Sequence, residues 1–209
     1  MKTVTSNARL ARVACSTLAL GLAPACLPQN LAQPDPGAMH ASCLPGERGY
    51  LRASLRGEVD ADLDWRGAPL QCEGGARPDG RGLRVSFLGP KDASGHRLRV
   101  VFGIAAPPGT ARAAAVPTNV TVIVEGEQRL YTTRGDERCS IETVVQEPLP
   151  LQDAGVSSPA TRDYRIAARG SCIDPATTLD GSGRLYINRF DFAGVARFED
   201  NELHAATRS

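Results

Sequence analysis

The sequence predicts an all-β fold: an antiparallel β-sandwich of about eight or nine strands, stabilised by disulfides. Three observations point there. Hydrophobic and polar residues alternate without a break from Leu51 to Trp65, the mark of a half-buried strand. Short apolar runs recur between Gly- and Pro-rich turns, and no segment sustains a helical period. The cysteines fall where two bridges can staple strands together.

The first element carries Leu51, Ala53, Leu55, Val59, Ala61, Leu63 and Trp65 on one phase. Arg52, Ser54, Arg56, Asp60, Asp62 and Asp64 occupy the other. We read it as one long strand bent at Gly57. The alternative is a hairpin with a three-residue loop at 57–59, which sets Arg56 across from Asp60 and Arg52 across from Asp64. Further strands follow at Leu83–Leu88, Arg97–Ile104, Val120–Glu125, Arg129–Thr133, Cys139–Gln146, Tyr164–Cys172 and Gly183–Phe192, with a last one at Gly194–Phe198. Thr110–Ala115 is Ala-rich and allows at most one helical turn. In Asn188–Phe192 the apolar phase departs from that of Leu185 and Ile187, so a β-bulge is expected there, with Phe190 and Phe192 buried. The domain is expected to span 43–198, followed by a frayed polar tail at 199–209.

Pairing Cys139–Gln146 with Tyr164–Cys172 antiparallel, with Cys139 opposite Cys172, sets Ile141 against Gly170, Thr143 against Ala168 and Val145 against Ile166. Small and apolar residues then share a face, which favours a Cys139–Cys172 bridge. Cys43–Cys72 follows by elimination, and the other two pairings of four cysteines remain open.

Residues 1–25 read as an export signal. Lys2, Arg9 and Arg12 precede the apolar stretch Val13–Ala23, and Ala23-Pro24-Ala25 offers small residues for cleavage. The stretch is too short to span a bilayer, which takes ~20 apolar residues. Residues 26–42 are rich in Pro, Ala and Gln and read as a flexible tether; the sixteen after Cys26 have a reach on the order of 20–24 Å. Leu22-Ala23-Pro24-Ala25-Cys26 resembles the lipobox of bacterial lipoproteins, although Ala23 stands where Leu is favoured. Cysteine parity adds to that resemblance. Of the five cysteines beyond the leader, four suffice for two bridges and Cys26 is left for modification. The resemblance implies a lipid anchor at Cys26 in the membrane. With Leu27 rather than Asp next, it implies sorting to a bacterial outer membrane. Without the anchor the chain is expected in the periplasm or secreted.

No catalytic motif stands out. The net charge of +1 gives no basic bias, so nucleic acid is not an expected partner. Asp60, Asp62 and Asp64 are weak candidates for a calcium site, but Trp65 and Gln71 stand where an EF-hand needs Gly and Glu, so we read a solvated face. Asp174 and Asp180 in the Gly-rich loop 173–183 could ligate calcium too, but we read a plain turn. His96 is the one histidine within the folded part, and there is no G-x-S-x-G element. Gly80-Arg81-Gly82 lacks the third glycine of a dinucleotide fingerprint. Arg134-Gly135-Asp136 is read as a turn. No cofactor is expected. The sequence thus suggests an exported, lipid-anchored envelope protein with a binding or structural role. A secreted hydrolase and a subunit of an envelope assembly are the alternatives.

Overall fold

The computed structural model describes residues 43, 44, 46, 48–127, 129–150 and 160–206. The expected leader, the tether and Cys26 lie outside the described residues. The strands are β1 (Tyr50–Gly57), β2 (Ala61–Arg66), β3 (Gln71–Ala76), β4 (Leu83–Lys91), β5 (Arg97–Ile104), β6 (Arg112–Glu125), β7 (Arg129–Thr132), β8 (Cys139–Pro148), β9 (Thr161–Cys172), β10 (Ala176–Thr178) and β11 (Arg184–Glu199). One helix, α1 (Asp200–Ala206), follows.

The fold is all-β and antiparallel, as expected. The eleven strands form one hydrogen-bonded network rather than two separate sheets. β2 and β1 lead to β11, and β5, β4 and β3 continue from β6. Between β11 and β6 run two strand pairs, β9–β8 and β10–β7. At the far end β3 comes back against β11. A Cβ on Gly74 would lie 2.6 Å from the Val195 carbonyl oxygen, so only glycine permits this approach. The inner faces of β4 and β5 therefore meet that of β11. Phe87 and Phe102 pack on Phe192 with ring centroids 5.2 and 4.4 Å away, and Phe102 lies 4.9 Å from Phe190. Each such ring, fully buried, contributes about 1.5–3 kcal/mol.

Two bridges form, Cys43–Cys72 and Cys139–Cys172. Each typically contributes ~2–4 kcal/mol, largely by restricting the unfolded chain. Cys139 and Cys172 face each other across β8 and β9, as the register argument required.

Several expectations are corrected. Residues 51–65 are not one bent strand but the hairpin β1–β2, with Leu51 opposite Trp65 and Leu55 opposite Ala61. Gly57 adopts φ 119°, and its N–H donates to Asp60 Oδ1 at 3.1 Å, which closes the turn. In β8 the expected register holds from Cys139 to Ile141 and then slips by one residue. Thr143 faces Arg169 and Val145 faces Ala167, so Glu142 is bulged and Val144 and Gln146 turn inward. Residues 112–117 pair with β8 and are strand, not helical turn. β3 and β10 were not anticipated, and β11 runs through Gly194 without interruption. Trp65 is only partly buried, while Phe87 and Phe102 are fully so. The tail carries α1, whose Leu203 packs against the core. The bulge expected near Asn188 is present: Ser54 faces Arg189 and Leu55 faces Ile187, and both Phe190 and Phe192 are buried.

Candidate functional site

Two backbone irregularities flank β9. On one side β11 bulges at Asn188, and on the other β8 bulges at Glu142. Opposite Glu142, on β6, Ala115 takes φ 53°, a left-handed conformation that costs a non-glycine residue about 1–2 kcal/mol. Bulges and strained backbone concentrate where a sheet is shaped for a task. Here the two bulges border one groove of about 760 Å³ on the outer face, built by β1, β2, β8, β9 and β11.

The side chains of the groove follow from cross-strand register. Asp64, Arg52, Asp191, Arg169 and Thr143 stand in one row across β2, β1, β11, β9 and β8. Gly170 lies beneath, with Phe190 where its side chain would be; an added Cβ would sit 2.7 Å from that ring. Beyond the row lie Ser54, Ser171, Asn188 and Arg189, and an adjoining depression carries Arg112.

Charge pairing separates these residues into two groups. Asp62 is saturated: Arg56 Nη2 donates to both its oxygens at 2.8 Å, and Ser54 Oγ donates at 3.0 Å. That holds its carboxyl below the usual range. Asp64 is likewise lowered, first by Arg66 and less by Arg52. Asp191 accepts from Tyr50 Oη at 2.8 Å; burial, then this bond, raises the phenol. By contrast the side chains of Arg169, Arg189 and Arg112 make no hydrogen bond or ion pair among the described residues, and neither does that of Glu142. The groove therefore offers unpartnered guanidinium forks, one unpartnered carboxylate and several hydroxyl and amide groups.

A second depression, of about 370 Å³, lies at the seam of β3 and β11. Its charges are mutually satisfied: Arg197 forks onto the buried Asp163 at 2.7 and 2.9 Å, and Arg99 Nε donates to Glu125 at 2.8 Å. Among the described residues, the buried Oε1 of Gln71 lacks a partner there.

No family model, curated protein or solved structure matches this chain. The other residues singled out in the sequence are placed as follows. The Asp60–Asp62–Asp64 row serves the hairpin: Asp60 closes its turn and the other two pair with arginines. Asp174 pairs with Arg138, and Asp180 caps its own loop. Among the described residues no three His, Cys, Asp or Glu side chains are placed to hold a metal ion. His96 Nδ1 lies 2.8 Å from Glu127 Oε1. In the Arg134-Gly135-Asp136 tripeptide the carboxylate is occupied by Arg77 at 3.0 Å and Asn119 at 2.5 Å. Sequence reading did not find Arg112, Glu142, Arg169 or Arg189. The phase break at Asn188 was the one local signal near them.

Proposed function

We propose that this chain is an exported cell-envelope protein, lipid-anchored through Cys26, whose β domain acts by binding rather than catalysis. The observation that carries the reading is cysteine pairing. Cys43–Cys72 and Cys139–Cys172 use the four cysteines of the folded part, so Cys26 is the one beyond the leader left without a bridge. Disulfides of this kind suit an oxidising compartment. The apolar leader and the small residues before Cys26 supply the route, and the Pro-rich stretch after it holds the domain away from a bilayer. A diacyl anchor meets the need for more than one chain, since each buried CH₂ is worth ~0.8 kcal/mol. A polar groove with unpartnered charges gives the domain something to bind with.

The test is Cys26→Ser in the full chain, followed by detergent partitioning and intact mass. Loss of the protein from the membrane fraction, with the mass of a diacyl modification missing, is expected. An unchanged membrane fraction and unchanged mass refute the anchor.

A further inference from the structure

We propose that the groove between the two bulges binds an acidic saccharide, with its carboxylate or phosphate seated on Arg169 and Arg189. The inference rests on the reading of the domain as a binding module and names its ligand class. Elsewhere on the strands, arginines such as Arg56, Arg66, Arg99 and Arg197 each reach a carboxylate. Of the three carboxylates in the same groove, two turn to other donors, Asp62 to Arg56 and Asp191 to Tyr50, and the third, Glu142, pairs with no arginine among the described residues. Two planar forks are thus left facing one space. A guanidinium matches the two oxygens of a carboxylate or phosphate and gains more from such a pair than from water alone.

The rest of the lining says what the anion is attached to. A groove of about 760 Å³ is far larger than a bare phosphate and falls in the range of small organic ligands. Ser171 and Asn188 offer hydroxyl and amide groups, and Glu142 offers an acceptor for a hydroxyl hydrogen. This set suits a ligand that is anionic at one point and hydroxylated around it. Glu142 beside the guanidiniums disfavours a continuous polyanion such as nucleic acid. The strands that form the floor, β11 and β9, are hydrogen-bonded on both edges, so no added peptide strand pairs there. The bulges explain the position: each breaks the alternation beside β9 and re-aims outward residues of β8 and β11 toward one space.

The experiment is a titration of the full chain followed by NMR. The probes are a galacturonate trimer and glucose 6-phosphate, with a neutral glucose trimer and inorganic phosphate as comparators. At least one acidic sugar is expected to bind and to shift signals of Arg169, Ser171 and Arg189, and the arm that binds identifies the anion. Arg169→Ala with Arg189→Ala is expected to weaken it about tenfold or more while the spectrum stays folded. Arg84→Ala with Arg184→Ala, outside the groove, is expected to leave it unchanged. The proposal is overturned if neither acidic sugar binds at millimolar concentration, or if inorganic phosphate or the neutral trimer binds as tightly. It is also overturned if both double variants weaken binding equally or neither does. None of these results bears on membrane partitioning, so failure here and failure of the anchor are separable.

Discussion

Asp180 shows how much one side chain settles locally. Its carboxylate accepts from the Thr178 hydroxyl at 2.5 Å, the Ser182 N–H at 3.2 Å and the Ser182 hydroxyl at 2.9 Å. These bonds, led by Thr178, bring its pKa to about 2 from 3.8. Hydrogen bonding to the charged form is what lowers it. A depressed carboxyl favours the folded state above its unfolded value. That contribution is whole above 3.8 and is lost as pH falls through about 2. In an NMR titration the Asp180 carboxyl and the Ser182 amide should move together with a midpoint near 2, and a midpoint at 3.8 would show that the loop does not hold its charge. The motif was legible: Asp180-Gly181-Ser182-Gly183 is turn chemistry, and Gly181 adopts φ 80°. The groove arginines were not. Arg112, Arg169 and Arg189 look like any outward strand residue, because lack of a partner depends on which residues the neighbouring strands bring alongside.

At the scale of elements, register carries the argument. In β11 Leu185 and Ile187 face inward before the bulge, and Phe190 and Phe192 face inward after it. Strand side chains repeat every two residues, and Asn188 is the extra residue that lets both pairs face inward. Deleting it leaves Ile187 and Phe190 two positions apart, so all four apolar side chains stay inward on an unbulged strand. The loss of stability is therefore expected to stay below the roughly 3–6 kcal/mol that exposing two large apolar side chains costs. Chemical denaturation of the deletion variant is expected to show a midpoint close to the parent's; a collapsed midpoint would mean that the bulge itself is needed for the fold. The hairpin β1–β2 teaches the converse. A loop with an odd number of residues preserves the alternation, so one long strand and a hairpin turned at 57–59 have identical patterns. Glu142 is harder still. Thr143 and Val145 are plausible inward residues in the unslipped register, and only pairing with β9 turns Val144 inward instead.

Across the whole molecule, order is set by contacts distant in sequence. β1 pairs with β11, with Tyr50 opposite Ala193, and β3 closes against the same strand farther along. The closure depends on Gly74, where an added Cβ would lie 2.6 Å from both the Arg84 and the Val195 carbonyl oxygens. These are backbone atoms that cannot swing away. Gly74→Ala should therefore part β3 from β11 and cost about 1–3 kcal/mol. The expected reading is a lower urea midpoint with faster amide exchange in β3 and in 194–199 of β11. A parent-like midpoint would mean the seam has slack. At the opposite end of the network β2 remains an edge strand. It is short and charged through Asp62, Asp64 and Arg66, features that discourage addition of another chain.

The sequence alone determined the class of fold, because period-two alternation and turn residues are local properties that need no partner. It also determined the bulge at Asn188, where the apolar phase breaks within one strand. A register argument favours Cys139–Cys172 and leaves Cys43–Cys72 by elimination, but the other two pairings stay open until the structure shows these two bridges. The tertiary structure decided whether Gly57 bends or turns the chain, that β3 and β10 exist, and where β8 slips. It also decided that the strands join in one network and that Arg169 and Arg189 face a common groove with no side-chain partner among the described residues. Each of these depends on which strands lie side by side. The free energy that selects those neighbours comes from burying Phe87, Phe102, Phe190 and Phe192 together, residues more than a hundred positions apart at the extremes. No window of the sequence contains that contact.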